Sequence, residues 1–426
     1  MQAWESRLQT AARWLTVALP ILLVSGRAAA DSALSLAAIL FVVRCVATGD
    51  WSWTRRTWVR VAFGLWIWML IISNFAYKVG PSYTEAAAWI RFILFAAAAE
   101  SWILDKVWIR RLVYVTGAAV LFTAGDAILQ YVTGHDLFNY PKPNPTRLTG
   151  PFYPHQEVGI FMARIFFPAV MGGFAFALAS KRRRLGFALA TVGAVYVVTA
   201  IFLSGERAAL LLTLFGLLLI LFLAQGLRRT LIAGALLIVA GLALLQLKLP
   251  IVQRQFDSTV AVMHNIPDSN YGVLWRSGLM MGRSHPITGV GMHNFRYVCK
   301  EPSKHFPGCN LHPHNMYIQW FAASGVPGLL GFVILVAVWL RRLWRATLRS
   351  GTSAWVLGPA MGVFIQLWPF IPTGGFFSNW NAVTFWLVLG WAMASARLVE
   401  TSATSLGVRS EWHSPGARYP HLSTEL

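Results

Sequence analysis

Hydrophobic and polar positions alternate along this chain on the scale of whole membrane spans. Apolar stretches of about 17–25 residues, the length that crosses a ~30 Å hydrocarbon core, recur almost throughout. About twelve are legible, near residues 12–26, 30–47, 58–75, 83–104, 107–132, 157–179, 185–203, 207–225, 229–248, 315–340, 353–372 and 379–397. The pattern predicts an all-α polytopic integral membrane protein, because a backbone immersed in hydrocarbon must satisfy its own hydrogen bonds. Four segments follow: transmembrane helices 1–9 over residues 1–248, a polar loop over 249–314, helices 10–12 over 315–400, and a polar tail over 401–426.

Within the loop, residues 251–263 and 273–282 carry helix-compatible patterns separated by Asn265, Pro267 and Asp268, so a small helical cap is expected. The tail, with Pro415 and Pro420, is expected to be disordered. Arg7 and Arg13, a short apolar core and Ala28-Ala29-Ala30 imitate a cleavable signal peptide. The segment is read as a retained span, and its removal would leave the topology of the rest unchanged. No internal repeat is visible.

Composition agrees: 56% hydrophobic residues and only 12% charged ones exclude an ordinary soluble domain. The net charge of +20 would suggest nucleic acid in a soluble protein, but here placement matters more, and no nucleic-acid partner is expected. Basic residues fall into alternate loops: Arg55-Arg56 with Arg60, Lys106 with Arg110-Arg111, Lys181-Arg182-Arg183-Arg184, Arg228-Arg229, and Arg341-Arg342 with Arg345 and Arg349. The positive-inside rule makes those loops, and both termini, cytoplasmic. The intervening loops then face outward, with Lys78, residues 133–156, the Ser204-Gly205-Glu206-Arg207 turn and the 249–314 loop.

Cys45 falls in a span, while Cys299 and Cys309 lie in the long outer loop, where an oxidising compartment would join them; two free thiols are the alternative. Trp51, Trp53, Trp58, Trp66 and Trp68 read most simply as interfacial anchors. Arg91, Asp126 and Arg164 are charges inside spans, all in the outer half. They suggest either an internal Arg–Asp tie or a polar cavity opening outward.

Three elements converge on the outer face. Arg147 and His155 lie in a loop rich in Pro and Gly. Arg207 follows a Gly turn at the first turn of its helix, where a guanidinium and free backbone N–H groups can meet an anion together. His314 opens the helix that follows the long loop, in the run His312-Pro313-His314-Asn315.

Arginine suits phosphate because its planar fork donates two hydrogen bonds and keeps its charge. A histidine, with an ordinary pKa near ~6.5, is free to accept a proton at neutral pH. The bland readings are interfacial snorkelling for Arg207, a solvated charge for Arg147, and a backbone-bonded helix-start residue for His314. Five outer-loop histidines (His285, His293, His305, His312, His314) raise a zinc site, but their spacing matches no standard ligand run, and no metal or other cofactor is expected. The outer acids Asp257, Asp268 and Glu301 are scattered, which argues against a paired-carboxylate cation site.

At these residues the chain resembles the bacterial O-antigen ligase family, membrane glycosyltransferases that join a polysaccharide to lipid A-core. The family's motif of His, then Asn, Ser or Gln, nine residues and Gly is similar to His314-Asn315, residues 316–324 and Gly325. Trp275-Arg276, the run from His285 to Gly291, and Asn294-Phe295 resemble its loop signature, and Ser204-Gly205-Glu206-Arg207 and Arg147-x-x-Gly150 resemble its upstream arginine elements. Val326-Pro327-Gly328 stands where some members carry a threonine pair.

The resemblance implies a GT-C-like architecture in a bacterial inner membrane with the active site facing the periplasm. It implies an undecaprenyl-diphosphate-linked polysaccharide donor and a lipid A-core acceptor, among membrane lipids. His314 is then the expected base, Arg207 and Arg147 the groups that stabilise the departing diphosphate, and Arg276, His312, Asn315, Arg91 and Arg164 candidate substrate-binding residues. An O-antigen polymerase or protein O-oligosaccharyltransferase is the close rival, and a transporter of lipid-linked or amphipathic solutes the distant one.

Overall fold

The computed structural model describes residues 2–224 and 264–405, together with 228, 232–234, 236, 240, 241 and 260. Among them the protein is an all-α membrane bundle with no strand. Eight helices are long and apolar enough to cross a membrane, and three shorter apolar helices accompany them. In chain order the elements are α1 (Gln2–Ser25), α2 (Arg27–Thr48), α3 (Thr57–Ser73), α4 (Val79–Ala98), α5 (Lys106–Thr133), α6 (Val158–Ala179), α7 (Arg183–Leu203) and α8 (Arg207–Leu223). Then follow α9 (Asn270–Ser284), the single turn α10 (Phe295–Val298), α11 (Met316–Arg349), α12 (Ala354–Gln366) and α13 (Asn379–Ser405). The expected span 229–248, the expected helix 251–263 and Arg229 lie outside the described residues, as does the tail beyond 405. Helix α13 runs past the expected boundary at residue 400 to Ser405.

Helices α6 and α13 form the middle of the bundle, buried along most of their length, with α6 packed against α5, α7 and α12. Outer helices instead expose large apolar side chains such as Val46, Leu189, Val192 and Phe222, as a surface facing hydrocarbon requires. Of the tryptophans expected as interfacial anchors, Trp51 is exposed, whereas Trp53 and Trp58, around the start of α3, are buried by neighbouring side chains. Trp66 and Trp68 donate their indole N–H groups across helices, to the Ala86 carbonyl at 3.0 Å and the Ser324 carbonyl at 3.1 Å. An indole N–H in hydrocarbon needs such a partner, and a neighbouring helix supplies it.

Alternate helix ends meet at one end of the bundle, with the described part of the long loop. Arg27 pairs with Glu157 at 2.6 Å, Tyr77 N donates to Val290 O at 3.0 Å, and Trp380 donates to Leu23 O at 3.0 Å. The other end carries Arg56, Lys106, the 181–184 cluster and the arginines that close α11.

Helix α11 is broken at Gly325, whose φ of 67° and ψ of −167° are not helical. Residues 286–291 cross it there: Val326 N donates to Pro286 O at 2.7 Å, and Val290 N and Gly291 N donate to Ala322 O and Ala323 O at 2.8 and 3.1 Å. A Cβ at Gly325 would collide with the Ile287 carbonyl, so only glycine allows the loop to lie this close.

Candidate functional site

The Arg147 segment is held by backbone pairing. Gln130 Oε1 accepts from Thr149 N and Gly150 N, both at 3.0 Å, and Leu148 N donates to Ser204 O at 3.2 Å. Arg147 therefore lies beside the turn that launches α8. Gly205, at φ 76°, makes that turn possible, and Arg207 becomes the first helical residue, as expected from sequence.

Glu206, which sequence reasoning passed over, accepts from Gly159 N at 2.6 Å and Ile160 N at 3.1 Å, tying the turn to the start of α6. Burial pushes its carboxyl up to about 7, although those N–H groups and Arg147 favour the charged form.

Arg207 is within electrostatic reach of Arg147 and of Tyr271. Tyr271, in the first turn of α9, stands edge-on to the His314 ring at 5.6 Å. The His314 ring in turn lies 4.2 Å from that of His312. His314 occupies the left-handed backbone region at φ 55°, unusual for a side-chain-bearing residue. Thr373 N holds it there, donating to its carbonyl at 2.8 Å. Burial lowers the His314 pKa, opposed by a hydrogen bond between the ring and the Thr373 backbone. Its Nε2 is 3.2 Å from the Asn310 amide.

The structure thus brings Arg147, Arg207, His312 and His314 to one end of the bundle in a connected series. Tyr271, Asn310 and Thr373 complete it; nothing in the sequence marked them, because their role comes from chain crossings between distant segments.

His312 also lines a cavity of about 610 Å³. Asp31, Glu85, His293 and Arg296 line it, and His293 Nδ1 faces Glu85 Oε2 at 3.1 Å. His314, Arg147 and Arg207 do not line it. Cys299 and Cys309 are bonded to each other, pinning the loop just before His312. Among the described residues no three His, Cys, Asp or Glu side chains converge on a common point.

The other expected substrate-binding residues are placed differently. Arg91 pairs with Asp31 at 3.0 Å and reaches Asn379 Oδ1 at 3.1 Å. Asp126 joins neither Arg91 nor Arg164; its Oδ1 accepts from Leu137 N at 2.6 Å. The expected Arg–Asp tie therefore exists, but with Asp31 as the acid. Arg164 is buried, bonds Asn381 and lines a small void with Gln366 and Gly375. Asn315 caps α11, its Oδ1 accepting from Tyr317 N at 3.0 Å and Ile318 N at 3.2 Å, while its amide donates to Pro369 O at 2.7 Å. Both ends of that side chain are thus occupied by the fold. Arg276 is exposed on α9 and faces Asp268 at 3.6 Å.

A family model described as O-Antigen ligase matches residues 192–333, a stretch that includes Arg207, Arg276, His312, His314, Asn315 and Gly325. That match over residues 192–333 supports the O-antigen ligase family. The family supports a glycosyltransferase-like ligase or polymerase activity on polysaccharide and lipid substrates in a multi-pass membrane protein. Arg147, Arg91 and Arg164 lie outside the matched stretch. One chain of a solved structure, titled "Structural coordination of polymerization and crosslinking by a peptidoglycan synthase complex", is similar at 18% identity and a TM-score of 0.47, with 82% of this chain and 98% of that chain covered. No curated protein matches.

Proposed function

We propose that the protein transfers an O-antigen polysaccharide from undecaprenyl diphosphate to a sugar hydroxyl of lipid A-core. The reaction takes place at the periplasmic face of the bacterial inner membrane, with both termini in the cytoplasm. The observation that carries this reading is the series Arg147, Arg207, Tyr271, His314 at one end of the bundle. It sets two permanent cations within a few side chains of a histidine kept neutral. The basic clusters at the opposite end support the orientation.

His314 accepts the acceptor's hydroxyl proton at Nε2, the nitrogen now facing the Asn310 amide, while the ring's bond to Thr373 fixes the tautomer. The acceptor oxygen forms its bond to the anomeric carbon as the bond from that carbon to the diphosphate oxygen breaks, and the anomeric centre inverts. The electron pair leaves with undecaprenyl diphosphate, whose oxygens Arg207 and Arg147 neutralise. The glycosyl–diphosphate bond already carries the driving force, so neither a nucleotide nor a metal is needed.

Reconstitution of the purified protein in detergent with lipid-linked glycan and lipid A-core, followed by mass analysis, tests this. A glycan joined to lipid A-core is expected. Extension of a second lipid-linked chain instead would make the protein a polymerase, and no product in either form would leave transport as the better reading.

A further inference from the structure

The charged residues around the 610 Å³ cavity are largely matched within the protein. Asp31 pairs with Arg91, Glu85 faces His293, and Arg27 pairs with Glu157. Two buried polar atoms at this cavity lack a hydrogen-bond partner, His312 Nε2 and Arg296 Nε. Leaving such atoms unmatched is unfavourable, so a ligand that reaches them gains affinity. Burial holds the His312 pKa down to about 3, so its ring is a neutral hydrogen-bonding group there.

The amide of Gln319, whose Oε1 accepts from Phe376 N at 2.9 Å, shares the same walls. Unmatched nitrogens beside an amide suit a polyhydroxylated ligand, whose hydroxyls both donate and accept. The volume lies within the few hundred to ~1,000 Å³ usual for small-molecule sites.

The Tyr271, His314 and His312 rings follow one another to the cavity wall, with Arg207 within electrostatic reach of Tyr271. An in-line displacement needs its nucleophile and leaving group on opposite sides of the reacting carbon. We propose that this cavity binds a saccharide of the acceptor, with His312 Nε2 and Arg296 Nε bonded to its hydroxyls. The choice of a saccharide rests on the glycosyl-transfer reading.

The test uses the full chain in detergent and two probes, a delipidated and dephosphorylated core oligosaccharide and inorganic pyrophosphate. Binding is measured by calorimetry on the unaltered protein, on His312→Ala and on Ala28→Trp, which fills the cavity from an exposed position and leaves its polar walls untouched. Thermal unfolding checks that both variants fold. The oligosaccharide should bind the unaltered protein, about tenfold more weakly to each variant, with pyrophosphate binding unchanged. In the transfer assay the same variants should raise the acceptor KM about tenfold and leave the donor KM within about twofold. Failure of the oligosaccharide to bind, equal binding by all three proteins, or loss of pyrophosphate binding in the variants overturns the proposal. A protein that binds the oligosaccharide at this cavity but transfers nothing keeps the site and refutes the transferase reading instead.

Discussion

The two ends of the bundle treat buried charge in opposite ways. At the end rich in basic clusters, Glu100 is fully buried, yet Arg56 and Arg342 both pair with it, and Trp58 donates to it at 2.9 Å. Arg342 also grips Glu400 with two bonds, at 3.0 and 2.8 Å. At the loop end Arg147 and Arg207 lie near each other, and the rings of His312 and His314 meet at 4.2 Å. A carboxylate that closes the network makes the first end a clamp. Like charges beside neutral imidazoles, held by backbone pairing and a disulfide, leave the second end suited to an anion from outside.

Substitutions can sharpen or break this contrast. The largest effect is expected at His314→Ala, which should lower turnover by ~10²–10⁴-fold with the unfolding midpoint unchanged. Wild-type surface polysaccharide from a strain carrying that variant would refute the role. Next, Glu100→Gln should do the reverse. It takes this carboxylate from Arg56, while Arg342 keeps Glu400, and should cost about 3 kcal/mol of stability, seen as a lower thermal midpoint in detergent, while the remaining folded protein keeps its turnover. A loss of turnover without a loss of stability would abolish the distinction between the ends.

Arg207→Ala is expected to lower kcat by ~10²–10³-fold, with Arg207→Lys restoring part of it because a point charge replaces the fork. Unaltered kinetics would mean that the residue only anchors its helix end.

The smallest effects concern pH. His314 sits below the ordinary histidine value of 6.5, so the acid limb of kcat/KM should fall below pH 6.5, and a limb above it would speak against this base. For His312 the unfolded chain takes up a proton near pH 6.5 and the folded one only near about 3. Stability should therefore drop as pH falls through that window, and His312→Asn should flatten the drop in an unfolding series.

The helices were legible because hydrophobic periodicity is local. The runs at 58–75 and 157–179 announce α3 and α6 within a few residues, the run at 379–397 announces the start of α13, and Gly205 and Arg207 announce the start of α8. The site was legible only in part. Arg147, Arg207, His312 and His314 stood out as chemistry-bearing types near turns. The acid that takes Arg91 did not: Asp31 lies sixty positions earlier, and nothing along the chain distinguishes it from Asp126. Asn315 looked like a ligand because it adjoins His314, yet its position directly before the apolar run is that of a helix cap, the stronger local signal.

By itself the sequence determined that this chain lives in a membrane, roughly where its helices run, and which ends carry the basic clusters. Those properties follow from the solvent preference and hydrogen-bonding needs of consecutive residues. Only the tertiary structure decided that Leu148 pairs with Ser204, that the Tyr271 ring meets that of His314, and that His312 lines the cavity. Such meetings depend on how loops cross between helices far apart in the chain. A break at Gly325 and a disulfide at Cys299 set those crossings, and no repeating pattern encodes them.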